Sequence, residues 1–450
     1  MSDEPTSSDG TPLPHPSDDA APTNPPPGLW RWTVLILISL AMFGNYYVYD
    51  SIAPLADHLQ RLLDFTDTQI GTLNALYSFA PILITLIGGL IVDRIGTRRA
   101  TVIFTAICVI GAVVTAISPS FVVMAIGRLL FGLGAESMIV AITVVIGQWF
   151  VGRQLGFAFG VNLAVARAGS YAADFSPTFA KPLFDAGWQP PLWLAAGIMA
   201  AAFVTAVLYF LFERKAEARY DLARPEPPDK IVWSDLVRFD RSYWYVVGLC
   251  VTFYSVIFPF RSTFSIKYFQ HAHGLSLADA GQVNSQVFLA AIFATPLFGL
   301  LADKIGFRAL LMAGGTFLLF LTFPLLAYTS SPLWVSTAML GVAFSLVPAI
   351  MWPAVPYLVS ANRLGTAYGL MTMLQNIGLF TFNLAAGGLN DWAGASETNP
   401  GGYLPMLWMF GLLSLVGFVF AAALRKRETG PDGHHLEKPQ PRSKLIDAAG

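Results

Sequence analysis

Twelve apolar stretches leave this chain almost no freedom in fold class. They run over about 30–57, 69–92, 98–118, 120–150, 155–180, 190–212, 242–266, 278–302, 308–328, 332–358, 364–390 and 402–424. Most reach the ~20 residues that an α-helix needs to cross a ~30 Å hydrocarbon layer. In lipid a backbone N–H or C=O finds no water, so each spanning segment has to satisfy its polar groups internally, as a helix does. Apolar residues are 55% of the chain and charged ones only 12%, with mean hydropathy +0.57. The prediction is an all-α membrane protein of twelve transmembrane helices, embedded in the bilayer and with no nucleic-acid-binding face.

The distribution of charge says more than its sum of −1. Odd-numbered connections hold Arg61, Lys181 and Lys267. Even-numbered ones hold Arg94, Arg98, Arg99, Arg153, Arg214, Lys215, Arg219, Arg224, Lys230, Arg238, Arg241, Lys304, Arg308 and Arg363. Basic residues favour the cytoplasmic side, so both termini are expected there. Residues 1–28 are rich in Pro, Ser, Asp and Thr and lack the apolar core of a signal peptide; they read as a disordered tail, as do 425–450. Cys108 and Cys250 both fall inside spans and make neither a disulfide framework nor a metal site. The six histidines fall in tails or outer loops, so no buried histidine triad or metal centre is expected and no cofactor is implied. An enzyme is the least favoured class.

Two of the spans form a hairpin about the VGRQ break at 151–154, and each carries one charge deep inside it, Glu136 and Arg167. Both lie roughly 23 Å from the turn at 1.5 Å per residue, near the middle of the layer. An intramembrane charge costs at least ~2.5 kcal/mol on insertion scales and is by default a functional site with a partner. The natural partner is the other member of the pair, whether as a structural salt bridge or as a binding site. In the first span, FGNYYVYDS sets Asn45, Tyr46, Tyr47, Tyr49 and Asp50 at helical spacing. Asp50 is expected at the height of Arg128, and an Asp50–Arg128 pair would neutralise both, in a gating or proton-coupling role.

The chain also repeats itself. GLIVDRIGTRR follows the second span and GLLADKIGFRA the eighth, with Asp93 and Asp303 in matching places 210 residues apart; LGFAFG at 155–160 and LGTAYG at 364–369 agree at an offset of 209. Two matches at one spacing predict two pseudo-symmetric six-helix bundles, at 29–213 and 242–424, joined by a charged linker at 214–241. The Gly-bearing loop, together with Arg128 to Ala135 reading RLLFGLGA, resembles the signatures of the major facilitator superfamily. That resemblance implies a cytoplasmic latch between the halves built from Asp93, Arg94, Arg98 and Asp303.

Further stretches resemble the lysosomal dipeptide transporter branch of that superfamily and its bacterial relatives: YYVYDS, GRLLFGLGAES, ARAGS, VIFPF, MWPAV and LGTAYGLMTMLQNIG. The resemblance places the two ends of a dipeptide on Glu136 and Arg167. The chemistry suits a zwitterion, with Glu136 taking the ammonium and the planar fork of Arg167 the carboxylate; without ligand the two are expected to pair with each other. Applying the repeat offset, Arg167 corresponds to Asn376, so the facing wall is expected to offer Gln375, Asn376 and Trp352, with Tyr46 and Tyr254 beside side-chain pockets. Arg261, after FPF, is expected to reach for the outer interface. The function expected is an alternating-access carrier of short peptides by facilitated diffusion. Asp50 and Glu136 are titratable, so proton coupling is allowed without being demanded. The alternative is a carrier of another small solute, a proton-driven drug exporter or an organic-anion importer. Residues 1–28 hold no dileucine and the chain no glycosylation sequon, which favours a bacterial inner membrane over a lysosomal one and argues against carrying over the glycosylated accessory subunit of the lysosomal branch; a monomer is expected.

Overall fold

The computed structural model describes residues 26–84, 94–150, 154–220, 239–329, 331–360, 363–431 and 433–439. Within them the chain forms twelve long helices: α1 (Gly28–Asp50), α2 (Asp67–Ile84), α3 (Thr97–Ile117), α4 (Phe121–Phe150), α5 (Leu155–Phe179) and α6 (Gln189–Glu217), then α7 (Arg241–Pro259), α8 (Leu277–Ile305), α9 (Arg308–Tyr328), α10 (Leu333–Leu358), α11 (Leu364–Trp392) and α12 (Leu404–Glu428). Nine described helical stretches are long and apolar enough to cross a membrane; α2, α5 and α11 are not among them. The last two are related by the sequence repeat and are diluted by polar residues, Asn162, Arg167, Ser170 and Asp174 on α5 and Gln375, Asn376, Asn383 and Asn390 on α11. Polarity in a buried helix of a membrane protein marks the element that faces a solvated gap.

The repeat is carried into packing. In the first half α1 packs on α5 and α6, α3 on α4 and α6, and α2 on α4; in the second half α7 packs on α11 and α12, α9 on α10 and α12, and α8 on α10. Adding six to every helix number turns one list into the other. The halves meet through α2 against α11 and α5 against α8, which are again one contact seen twice. Glycines permit the close approach. A Cβ on Gly71 of α2 would land on the carbonyl oxygen of Asn383 of α11, and one on Gly281 of α8 on that of Asp174 of α5. These are symmetry mates by the repeat offset, and helix–helix contact in lipid relies on such small residues.

The two ends of the molecule differ. At the end away from the termini the halves are joined tightly. Asp391 of the second half accepts from the backbone N–H groups of Asp67 and Thr68 at 2.8 Å each, capping the N-terminus of α2 across the interface. Lys267 pairs with Asp67, Arg61 with Glu397 at 2.8 Å, and His271 Nε2 with Asp57 at 2.8 Å, its Nδ1 lying 2.8 Å from the Tyr403 hydroxyl. His271 is therefore buried between the halves and not a free loop residue, because the short helix Ser265–His273 turns it inward. At the end that bears the termini, Thr97–Gln148 and Arg98–Glu217 lie within the first half, and Ser242–Glu428, Tyr243–Ala367 and Asp240–Arg427 within the second. A Cβ on Gly156, Gly160, Gly365 or Gly369, the glycines that open α5 and α11, would meet nothing within 4 Å. Among the described residues, the polar contacts between the halves concentrate at the end away from the termini.

The C-terminal residues correct the expectation of a wholly disordered 425–450. The first four finish α12, and 433–439 fold back onto the loop between α8 and α9. Phe307 N–H donates to the Glu437 carbonyl at 3.1 Å, and Glu437 Oε1 accepts from Ala309 N–H at 2.8 Å, capping α9. Arg308 holds Asp303 at 2.8 Å and the Lys438 carbonyl at 3.0 Å. In the first half Arg98, the repeat partner of Arg308, pairs instead with Glu217 of α6. The α12 positions matching Glu217 are Lys426 and Arg427, so the second half has no acid there and the tail supplies acceptors.

Candidate functional site

Glu136 and Arg167 project from α4 and α5 of the first half, both half-buried. They do not pair: among the described residues neither lies within 4 Å of an opposite charge on the other. Glu136 Oε1 instead accepts from the Tyr77 hydroxyl at 2.9 Å. The Arg167 guanidinium lies against aromatic rings, 4.4 Å from the centre of Phe344, 5.4 Å from Phe288 and 5.8 Å from Tyr46. Its Nη1 is buried with no hydrogen-bond partner among the described residues. Two opposite charges held apart, one on a hydroxyl and one on rings, are poised for a ligand that carries both signs.

The second half faces them with an uncharged wall. Trp352 Nε1 donates to the Tyr254 hydroxyl at 2.9 Å, and Tyr368 stacks on Trp352 at 6.0 Å. Phe258 stacks on Tyr254 at 5.7 Å and touches Tyr49 of the first half at 5.9 Å. Gln375 Oε1 accepts from Cys250 Sγ at 3.4 Å, and Asn376 is buried and donates to the Thr372 carbonyl of its own helix at 3.0 Å. Among the described residues no group of His, Cys, Asp and Glu suits a metal ion.

Asp50 and Arg128 do not form the expected pair. Arg128, 1% exposed, donates to the carbonyls of Val48 at 3.0 Å and Tyr49 at 3.1 Å, to Leu73 at 3.3 Å and to Asn74 Oδ1 at 2.5 Å. Val48 and Tyr49 lie in the last turn of α1, at the negative end of the helix dipole and where the α-helical pattern runs out, the Val48 carbonyl being shared with Ser51, and this holds the guanidinium. Asp50 goes to Arg261, whose Nη1 lies 2.6 Å away; Asp174 of α5 takes the other end of the same guanidinium, and Asn284 donates to Asp174 at 3.0 Å. All three side chains are at most 1% exposed. Arg261 therefore does not reach for the outer interface. It sits in the π-helical turn Phe260–Phe264, one residue wider than an α-turn, and that extra width aims it inward between the halves. The sequence signal was present in Pro259 two residues before an arginine and in Asp174, a second charge on the polar face of α5.

Of the loop residues expected at a latch, Asp93 lies outside the described residues. Arg94 is exposed, Arg98 pairs with Glu217 within its own half, and Asp303 pairs with Arg308 within the other. None of the described three crosses between the halves in this conformation.

Two pseudo-symmetric six-helix halves, sealed at one end and holding separated charges at their interface, define a membrane transporter. The model of the Major Facilitator Superfamily matches residues 38–382 and 260–449, and the chain belongs to that family, one of carriers and not of enzymes. It is 30% identical over 378 residues to the lysosomal dipeptide transporter MFSD1 of Danio rerio, covering 81% of this chain and 82% of the relative. The lysosomal dipeptide transporter MFSD1 of Homo sapiens is likewise 30% identical, covering 81% of each chain. The hexuronate transporter of Bacillus subtilis is 22% identical over 76% of this chain and 84% of its own. Among solved structures a point mutant of the nucleoside transporter NupG superposes with a TM-score of 0.69 at 14% identity, covering 87% of this chain and 99% of that one, a likeness of fold alone.

Proposed function

We propose that this protein is an alternating-access carrier that moves short peptides, dipeptides above all, across a membrane by facilitated diffusion. The observation that carries the reading is the separation of Glu136 from Arg167. The acid rests on Tyr77, and the guanidinium rests on rings with Nη1 unpartnered, so a zwitterion can meet both without first breaking an ion pair. The ammonium goes to Glu136 and the carboxylate to Arg167, while Trp352, Tyr254, Tyr46, Gln375 and Asn376 bound the remaining space. Relatives named as dipeptide transporters, alike over four-fifths of the chain, support the substrate class.

Basic residues at the end that bears the termini make it the cytoplasmic end, so the conformation described is inward-open. Asp93, Arg94, Arg98 and Asp303 would then latch the halves when that end closes. A bacterial inner membrane and a monomeric carrier complete the reading.

The test is a thermal-shift assay on the purified full chain with Ala-Ala, N-acetyl-Ala-Ala and Ala-Ala-amide, alongside Glu136→Gln and Arg167→Ala. The expected result is stabilisation by the free dipeptide alone, lost in both variants. Equal response to the blocked peptides would move the assignment to a carrier of singly charged solutes.

A further inference from the structure

One aromatic ring is shared between the substrate site and the closed gate. Arg261 Cζ lies 3.7 Å from the centre of Phe288 and Arg167 Cζ 5.4 Å from it, and Phe288 itself is fully buried. Arg261 is the cation of the outer seal, and Arg167 is the proposed anchor for the substrate carboxylate. We propose that Phe288 is a positioning residue that couples the two: a carboxylate that draws Arg167 off the ring leaves Phe288 to Arg261, and so favours release of Arg261 from Asp50 and Asp174 and opening of the outer gate. The inference rests on the reading of Arg167 given above and adds to it a route from occupancy to gating.

Three features of the structure carry it. The first is that in the ligand-free arrangement Arg167 is held by ring faces and not by a carboxylate. A carboxylate offers two charged acceptors to a guanidinium and outcompetes a ring quadrupole. Binding therefore changes where Arg167 sits relative to Phe288.

The second feature is the division of partners between the halves. Arg261 and Phe288 belong to the second half, Asp50 and Asp174 to the first. When the outer end opens, Arg261 leaves both carboxylates but moves together with Phe288. A buried cation without any partner is costly, so the ring that travels with it bears directly on the stability of the open state.

The third feature is the stiffness of the link. Phe288 lies one helical turn from Asn284 on α8, on the same face. Asn284 donates both to Asp174 at 3.0 Å and to the Arg261 carbonyl at 3.2 Å. Gly281, two turns before Phe288, abuts the Asp174 carbonyl. Ring, amide and glycine contact thus lie along one helix that forms the seal with α5.

The experiment uses spin labels at Asp64→Cys and Thr398→Cys, both exposed and at the sealed end in opposite halves, in the full chain reconstituted in nanodiscs. The native cysteines are buried and stay in place. With Phe288 intact, Ala-Ala is expected to shift the distance distribution toward the open gate by about fivefold or more, the lower end of ordinary site-to-site couplings. With Ala-Ala at a concentration that saturates each variant, Phe288→Leu is expected to abolish that shift, and Phe288→Trp, which keeps a π face, to retain it. A shift of unchanged size in Phe288→Leu, or its loss in Phe288→Trp and Phe288→Leu alike, overturns the proposal. A ligand-free arm separates this from the substrate assignment: Arg167→Ala vacates the ring as a carboxylate would, and is expected to open the gate with Phe288 present but not with Phe288→Leu. If no dipeptide binds the unmodified protein, the substrate reading fails. The coupling then stands if the ligand-free arm shows this dependence and falls if it does not.

Discussion

Arg261 is where removing one group should most change the behaviour of the whole. Its guanidinium holds Asp50 at 2.6 Å and also Asp174, with all three side chains at most 1% exposed. Asp50 Oδ2 and Asp174 Oδ1 already lack any hydrogen-bond partner among the described residues. Arg261→Gln would strand two buried carboxylates on each other. Breaking a buried pair by deleting one member costs ~3–5 kcal/mol. This cost falls on the closed outer gate, because separating the halves lets water reach both acids. At about 1.4 kcal/mol per decade the closed-to-open ratio should fall by roughly a hundredfold or more. The Asp64→Cys/Thr398→Cys distance measurement reads this directly, as a population shift toward the wider distance. Asp174→Asn is the contrast, since it leaves one carboxylate to one guanidinium and should move the ratio by less than about tenfold. If Arg261→Gln is folded yet keeps the closed distance, the triad does not hold the gate and the argument from buried charge is wrong for this protein.

Two further outcomes test the packing. Gly281→Ala places a methyl on the Asp174 carbonyl and should also widen the outer end, whereas Gly156→Ala, with nothing within 4 Å, should leave the distance distribution unchanged. Glu437→Ala removes the cap on the Ala309 N–H; a lost cap is worth about 1 kcal/mol, and Tm by intrinsic fluorescence should fall by about 2–4 °C if the second half melts as a unit.

Hydropathy and the internal repeat were enough to give the fold of this chain. Helices are the way a chain with this many apolar spans satisfies its backbone in lipid, and the repeat at 209–210 residues points to two six-helix halves. Glu136 and Arg167 were legible for the same reason, as isolated charges at mid-depth. What each charge touches was not legible. Asp50 seemed to match Arg128 because both sit at one height, but height ignores rotation about the helix axis and the carbonyls freed where α1 ends. Arg261 looked close enough to the interface to escape, yet a π-helical turn rotates it inward to acids 211 and 87 residues away in the chain. Glu136 and Arg167 seemed destined for each other, yet Tyr77 and the rings of the opposite half hold them apart. Sequence determines which segments enter the membrane and which of them carry charge, because burial depends on composition summed along each span. Partnership between those charges depends on azimuth, helix termini and which end of the molecule is closed, and these exist only once the two halves have packed.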